Sequence, residues 1–191
     1  RDHITVTGSS GYQKIDGTPG GDSITLGDGN DTANGFDGAD TIKGDSGNDT
    51  INGGNGNDTL EGGVGQDTIR GDAGADTIKG GDDSDADYLY GGSGRDTIYA
   101  GDSGANTNNV NSTYVNSVTG GGGGDRLFGG LNRDTFIYAG TDRSTLIDES
   151  GTIPSTRDYI ENFYLGDTID FSGVLDSNVQ FFGSGSSNAS A

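Results

Sequence analysis

The chain has 191 residues, among them 39 glycines, and its 30 acidic and 10 basic residues give a net charge of −20 at pH 7. Only 28% of the residues are hydrophobic, a composition that usually indicates disorder because too little apolar surface is buried to offset chain entropy. The absence of cysteine excludes disulfides and thiol chemistry, the sparse Lys and Arg argue against nucleic acid as a partner, and no apolar run is long enough for a membrane span. A folded state therefore needs a further source of stability, and the acidic excess favours cations.

Residues 1–16 precede the first regular repeat and are predicted to form an N-terminal cap. Their last nine residues, GSSGYQKID, read as a degenerate repeat with Gln13 at the place of an aspartate. His3 is the single histidine and lies near the terminus, so we interpret it as incidental. No signal peptide is visible, and the start at Arg1 predicts that the chain is a module of a larger protein.

A nine-residue period begins at Gly17 and continues through seven units to Lys79. With Gly17 counted as position 1, position 4 is always glycine, position 6 is always aspartate and position 8 is aliphatic. The position-6 residues are Asp22, Asp31, Asp40, Asp49, Asp58, Asp67 and Asp76. Three fixed columns over consecutive units indicate a repeat architecture rather than disorder.

The array continues to residue 137 with two longer loops. The unit GGDDSDADYLY has two inserted residues, and a long polar loop precedes a predicted strand at Ser117 to Thr119. Asn132 replaces the position-4 glycine of the last unit. The position-6 residues of these units are Asp87, Asp96, Asn116, Asp125 and Asp134.

Beyond about Tyr138 the period disappears, and residues 138–191 are predicted to form a capping segment with a flexible tail. Alternating apolar residues in RDYIENFYLGDTIDFSGV predict two short strands with a turn near Gly166. The terminal SGSGSSNASA is of low complexity.

The nine-residue spacing divides into a six-residue glycine-rich turn and a three-residue strand whose middle side chain points inward. Two units then make one coil, which predicts an all-β fold: a right-handed parallel β-roll, a form of β-solenoid, of about six 18-residue coils with a small β-rich C-terminal cap.

Because stacked parallel strands lie about 4.8 Å apart, aspartates 18 residues apart become neighbours. One ladder is predicted to hold Asp22, Asp40, Asp58, Asp76, Asp96 and Asp125. The other is predicted to hold Asp31, Asp49, Asp67, Asp87, Asn116 and Asp134.

Such a fold buries little more than one aliphatic side chain per unit, while its columns of carboxylates repel one another. We therefore expect the cation-free chain to be disordered. A hard divalent cation between adjacent loops removes the repulsion, and ligand oxygens from carboxylates and turn carbonyls favour calcium over zinc, copper or magnesium. The fold is thus predicted to be stabilised by several Ca²⁺ ions, roughly 7–10 in number. Both longer loops fall on the second ladder, so the two ladders are expected to differ in occupancy.

The repeat G-G-x-G-x-D-x-U-x over residues 17–137 resembles the RTX (repeats-in-toxin) calcium-binding family. The resemblance implies that each ion lies between loops 18 residues apart and takes an aspartate from both loops. One loop adds the carbonyls of positions 2 and 4, and the other adds those of positions 1 and 3. For one pair of loops the implied ligands are Gly54, Gly56 and Asp58 with Gly71, Ala73 and Asp76. The implied glycine ligands at positions 2 and 4 are Gly27, Gly29, Gly38, Gly47, Gly54, Gly56, Gly63, Gly65, Gly74, Gly92 and Gly94.

The C-terminal segment carries a second resemblance. RDTFIY followed by RDYIENF and DTIDFS is similar to the segment that caps such arrays in serralysin-type proteases, mannuronan epimerase R-modules and type I-secreted adhesins. This resemblance implies type I secretion of an unfolded chain and folding in extracellular calcium, either in the medium or at the cell surface. The expected function is a calcium-binding structural module, not an enzyme, that is monomeric within a larger secreted bacterial protein.

The alternative is a module that binds polysaccharide, ice or a cell surface through the exposed faces of the roll. Threonine recurs at position 7, although β-propensity on an exposed strand explains it as well. Lys43, Lys79 and Tyr99 at position 9, with Arg126 nearby, offer contacts to an acidic glycan, but Glu61 interrupts them. An enzyme is disfavoured because one histidine and no cysteine leave no nucleophile system or histidine-rich zinc site.

Overall fold

The computed structural model describes residues 2–81, 85–101, 115–129, 133–139, 159–161 and 167–173. Most of the long loop, part of the two-residue insertion, Asn132, the turn predicted near Gly166 and the predicted flexible tail lie outside these residues. The described residues form strands and turns without a helix. Accordingly, none of them belongs to a helix long and apolar enough to cross a membrane.

The strands follow one another at intervals set by the repeat. They are β1 (Thr5–Thr7), β2 (Lys14–Asp16), β3 (Ser23–Asp28), β4 (Thr32–Asp37), β5 (Thr41–Ser46), β6 (Thr50–Asn55), β7 (Thr59–Val64), β8 (Thr68–Ala73), β9 (Thr77–Lys79), β10 (Tyr88–Gly94), β11 (Thr97–Tyr99), β12 (Val115–Gly123), β13 (Arg126–Phe128), β14 (Arg133–Ala139), β15 (Tyr159–Glu161) and β16 (Thr168–Gly173).

Successive strands alternate between two parallel eight-stranded sheets, one built from the odd-numbered strands and one from the even-numbered strands. Each odd and even pair is one coil, and the six pairs from β3 to β14 span the predicted array. The all-β parallel roll of about six coils is therefore confirmed. The pairs β1–β2 and β15–β16 extend both sheets by one strand at either end. The two short strands predicted after residue 138 are present, but they lie in different sheets.

The register between coils is 18 residues in the regular part of the chain, as in Thr41 opposite Thr59. It becomes 20 residues between Thr68 and Tyr88, 29 between Tyr88 and Ser117, and 33 between Thr135 and Thr168. The additional residues fall between strands in the sequence. Equivalent positions therefore stay stacked even where the spacing in sequence changes.

The predicted strand length is wrong for the regular coils. Strands such as Thr41–Ser46 and Thr59–Val64 have six residues and continue through positions 1–3 of the next repeat, leaving positions 4–6 for the turn. The physical reason is that these residues also pair with adjacent coils, as Asp45 does with Gly63. The three-residue length is correct for β9, β11 and β13.

The interior between the sheets is thin. Side chains alternate along each strand, so that β5 buries Ile42 and exposes Thr41 and Lys43. Leu26 and Ala100 add buried side chains at position 1, where the other units have glycine. The buried residues at position 8 are Ile24, Ala33, Ile42, Ile51, Leu60, Ile69, Ile78, Leu89, Ile98, Val118, Leu127 and Phe136. The core is thus close to one side chain per nine-residue unit, as predicted.

In the described regular units position 4 is always glycine, mostly at positive φ, whereas position 2 also carries other residues. At position 2, Phe36, Asp45 and Asp72 adopt φ of 76°, 72° and 71°, which L-residues can reach at some cost. At position 4, Gly56 has φ of 143°, and a Cβ atom there would collide with the carbonyl oxygen of Gly38 one coil below. In these units the dihedral angle and the stacking therefore both favour glycine at position 4.

The packing around position 1 can be tested by comparing Gly53, at position 1 of its unit, with Gly122, at position 3 of another. A Cβ atom on Gly53 would collide with Oδ2 of Asp58, whereas a Cβ atom on Gly122 would meet no heavy atom within 4 Å. We expect Gly53→Ala to lower the free energy of unfolding of the calcium-loaded protein by about 1–3 kcal/mol. Gly122→Ala, the matched control, should change it by less than about 1 kcal/mol. Urea unfolding in saturating calcium measures both, and equal effects of the two variants would contradict this account of position 1.

Candidate metal sites

The position-6 residues form two buried columns, each at the start of the strands of one sheet or directly before it. The first column runs along the odd-numbered sheet and the second along the even-numbered sheet. Their relative exposure lies between 0 and 4%, although eleven of these twelve residues are aspartates. The turn that precedes each strand therefore directs its carboxylate inward, away from water.

Each column is one of the predicted ladders, and each of its position-6 residues is called a rung. A hydrogen bond joins each rung to the next. The backbone N–H of Asp40 donates to Oδ1 of Asp58 at 2.8 Å, and that of Asp58 donates to Oδ1 of Asp76 at 2.8 Å. In the second column the N–H of Asp49 donates in the same way to Oδ1 of Asp67 at 2.8 Å. These bonds confirm the two predicted ladders.

The longer loops do not interrupt the ladders. Asp67 donates to Asp87 at 3.0 Å over 20 residues, and Asp96 donates to Asp125 at 2.8 Å over 29 residues. Oδ1 of Asn116 accepts from the N–H of Asp87 at 2.9 Å, which confirms that Asn116 occupies an aspartate position.

The second carboxylate oxygen of most rungs is buried and accepts no hydrogen bond within the described part of the structure. This holds for Oδ2 of Asp31, Asp40, Asp49, Asp58, Asp76, Asp96 and Asp134. A buried acceptor without a partner is costly, and a buried carboxylate more so. A series of such oxygens at equivalent positions fits a bound cation.

Backbone carbonyls lie beside these oxygens. The space at Gly53 where a Cβ atom would sit is bounded by Oδ2 of Asp58 and the carbonyl oxygen of Gly71, and equivalent pairs recur at Gly35 and Gly44. Asp58 and Gly71 belong to the ligand set that the family resemblance implies. All of these donors are oxygens, which suits a hard cation such as calcium.

The remaining implied carbonyl ligands stay a prediction. The carbonyl of Ala73 already accepts a hydrogen bond from the N–H of Gly56 at 2.7 Å, so one of its two lone pairs is used by the fold. Among the described residues, no three His, Cys, Asp or Glu side chains form a cluster that holds a metal by side chains alone. Each site would therefore combine ladder aspartates with main-chain oxygens.

Electrostatics disfavour an ionised ladder without a cation. Burial, together with the charge of neighbouring carboxylates, raises the pKa of Asp49 and Asp58 from 3.8 to about 6. Burial raises the pKa of Asp96 and Asp134 to about 7, with contributions from the charges of Asp125 and Asp167, respectively. Negative charge in the columns thus needs compensation near neutral pH.

The first rung differs from the others. Oδ1 of Asp22 accepts from the N–H of Ile4 at 2.7 Å, and its Oδ2 accepts from the N–H of Thr18 at 2.6 Å. Burial opposes ionisation of Asp22, but these hydrogen bonds outweigh it and lower its pKa. Asp22 therefore fits a cation site less well than the rungs above it, and its predicted role as a ligand is not supported by an unpartnered oxygen.

Asn116 supplies hydrogen-bond donors where other rungs have a carboxylate. Its Nδ2 donates to Oδ1 of Asp134 at 2.9 Å and approaches the carbonyl oxygen of Ala100 at 3.3 Å. The neutral amide links two coils by itself, and the expected difference in calcium occupancy between the two ladders stays a prediction.

Sequence reasoning missed one member of the second ladder, Asp167. The N–H of Asp134 donates to Oδ1 of Asp167 at 2.9 Å, which places this residue one rung above Asp134. The tetrad Asp167–Asp170, DTID, repeats the D-x-U-x end of the nonapeptide. That tetrad was the available signal, but it lies 33 residues after its partner and so outside the period.

A parallel roll with stacked, inward carboxylates and adjacent carbonyls defines a calcium-binding structural repeat module. The RTX calcium-binding nonapeptide repeat matches residues 7–36, 16–51, 34–69, 52–85, 83–103 and 112–136. These matches cover more than half of the chain, so the protein belongs to this family, whose repeats bind calcium and are typical of secreted bacterial proteins. A search of curated proteins found no significant match.

The raised pKa values predict how the cation-free protein responds to pH. A carboxyl group whose pKa rises on folding stabilises the fold when protonated, fully below 3.8 and no longer once the pH exceeds about 6–7. We therefore expect the β content of the metal-free protein to rise as the pH falls from 7 to about 4. Circular dichroism of protein freed of calcium by dialysis measures this, because chelators weaken in acid.

The same protonation competes with calcium. The calcium concentration at half-maximal binding to the folded protein, measured by titration calorimetry, should therefore increase as the pH falls below about 6, although the metal-free fold is more stable there. A metal-free chain with equal β content at pH 4 and pH 7, together with a pH-independent calcium midpoint, would contradict the buried ladder.

Proposed function

We propose that calcium is the condition for folding of this module and that this dependence couples folding to export. The observation that carries the proposal is the series of buried Oδ2 atoms that accept no hydrogen bond among the described residues, at Asp31, Asp40, Asp49, Asp58, Asp76, Asp96 and Asp134. The core supplies little more than one apolar side chain per unit against this electrostatic cost. A chain with this balance unfolds where calcium is scarce and folds where calcium is abundant.

The proposed order of events in the cell follows from this small core and the electrostatic cost of the ladders. The chain leaves the low-calcium cytosol unfolded through a type I system and folds in the medium or at the cell surface. Extracellular calcium modules bind with dissociation constants of roughly 0.1–1 mM, which suits this switch. The absence of cysteine removes any need for oxidative folding afterwards. In this proposal the module is monomeric, has no catalytic activity of its own and serves a larger secreted protein.

A calcium titration at pH 7 tests the proposal. We expect a disordered spectrum by circular dichroism without calcium, and β structure with a midpoint of roughly 0.1–1 mM, because the carboxylates need the cation. Magnesium at equal concentrations should not replace calcium. A chain that is already folded in metal-free buffer, or one that folds at sub-micromolar calcium, would contradict the coupling to export.

Two charge-matched variants separate ladder binding from general charge. Asp58→Asn removes a buried carboxylate that has an unpartnered oxygen, whereas Asp28→Asn removes an exposed one. We expect the first to raise the calcium midpoint several-fold and the second to leave it nearly unchanged.

A second candidate function is favoured by one surface, the glycan-facing patch, which we define as Lys79, Tyr99, Arg126 and Phe128. Lys79, Tyr99 and Phe128 are consecutive in the position-9 column of the odd-numbered sheet. The rings of Tyr99 and Phe128 stack with centroids 4.6 Å apart, and the guanidinium of Arg126 lies 5.2 Å from the Phe128 centroid.

A flat aromatic pair with cations beside it suits the apolar face and the carboxylates of an acidic polysaccharide. Lys43, which was expected to contribute, instead forms an ion pair with Glu61 at 3.2 Å. The candidate surface is therefore displaced toward the C-terminal coils relative to the sequence-based expectation.

Titration calorimetry with soluble oligouronates tests the patch. Lys79→Ala and Tyr99→Ala should each weaken binding about tenfold, because each removes a direct contact worth about 1–2 kcal/mol. Lys43→Ala is the matched control and should bind as the wild type does. Equal affinity for oligouronates and neutral glucans, or no heat in the wild type, would rule out this function.

A further inference from the structure

The second ladder continues beyond the periodic part of the chain. Strands β14 and β16 pair in parallel, with Thr135 opposite Thr168 and Phe136 opposite Ile169. The bond from the N–H of Asp134 to Oδ1 of Asp167, at 2.9 Å, joins the same pair of atoms as the bond from Asp67 to Asp87 lower in this ladder, which is 3.0 Å long. Asp167 lies beyond residue 136, where the family match ends.

Asp134 leaves an oxygen unused at this rung. The residue is completely buried, its Oδ1 accepts from Nδ2 of Asn116 at 2.9 Å, and its Oδ2 accepts no hydrogen bond within the described residues. The amide below it is neutral and reaches only Oδ1. The carboxylate above it, from Asp167, adds negative charge next to that buried oxygen.

We propose that Asp134 and Asp167 form a further calcium site, outside the nonapeptide array, that fastens the C-terminal strand to the roll. Two carboxylates one rung apart and a buried unpartnered oxygen call for a hard cation. The inference rests on calcium binding by the ladders and extends it to a rung that no repeat supplies.

The position of β16 gives this site a structural role. Among the described strands, β16 lies at the edge of the even-numbered sheet, with β14 as its one parallel neighbour. An ion held by one residue next to each strand pins that edge and closes the intervening chain. Docking of β16, and with it protection of the edge from pairing with other chains, then depends on calcium.

Asp167→Asn tests the site, with Asp170→Asn as the control of equal charge on the same strand. Asn116 shows that an asparagine fits a ladder position, so Asp167→Asn is expected to fold. By native mass spectrometry at saturating calcium it should carry one ion fewer than the wild type and Asp170→Asn. Hydrogen exchange at Thr168–Asp170 should become faster, with no change in β3 to β8.

An unchanged ion count and unchanged exchange in Asp167→Asn would overturn the inference while leaving calcium binding by the repeats intact. No bound calcium in any of the three proteins would overturn the calcium ladders themselves. If Asp167→Asn does not fold, exchange in the wild type decides: protection of β16 that is complete in metal-free buffer contradicts a calcium-pinned strand, and protection that follows calcium supports it.

Discussion

Each coil of this protein is tied to the next by a hydrogen bond from a ladder backbone N–H to a carboxylate Oδ1, and the other features of the structure depend on that bond. It holds the aspartates between the coils, where relative exposure is at most 4%. It also fixes which residues stack, since the bond between Asp40 and Asp58 sets the register of β5 and β7. Because Oδ1 is committed to the backbone, Oδ2 is the oxygen left for a cation. The same side chain therefore builds the coil and creates the demand for calcium, so the metal site and the fold cannot be separated.

This arrangement explains which parts of the repeat are free to vary. The separation between rungs changes from 18 to 20, 29 and 33 residues while the bond stays between 2.6 and 3.0 Å. Extra residues are tolerated because they fall between strands in the sequence, whereas residues within the strands face another coil at close range. Position 4 is glycine at φ of 143° in Gly56, a conformation that L side chains rarely adopt, while position 2 carries an exposed Phe36 at φ of 76°. Variation thus depends on the backbone conformation and the contact with the next coil rather than on distance along the chain.

The period of the sequence was sufficient to predict the ladders, the position-8 core and the number of coils. Fixed aspartate and aliphatic columns allow few other arrangements, and Asn116 was placed correctly despite the long loop before it.

The period did not reveal hydrogen bonds between residues whose separation in sequence departs from the repeat. Asp167 was missed because it lies 33 residues after its partner Asp134. Asp22 was predicted to be an ordinary ligand because the pattern of residue types does not reveal the backbone N–H donors of Thr18 and Ile4. The strand extension through positions 1–3 was missed because glycine has low strand propensity, yet pairing with both neighbouring coils overrides that preference.

The neutral and hydrogen-bonded rungs show that the demand for calcium is not uniform along the roll. At the N-terminal end, Thr18 and Ile4 satisfy both oxygens of Asp22 and lower its pKa. Burial raises the pKa to about 6 at Asp49 and Asp58, and to about 7 at Asp96 and Asp134. Protein donors outweigh burial only where the roll begins, whereas burial opposes ionisation of the later rungs at Asp49, Asp58, Asp96 and Asp134. Asn116 relieves one rung near the end of the roll because its amide is neutral, so the electrostatic demand for a cation follows the identity and the donors of each rung.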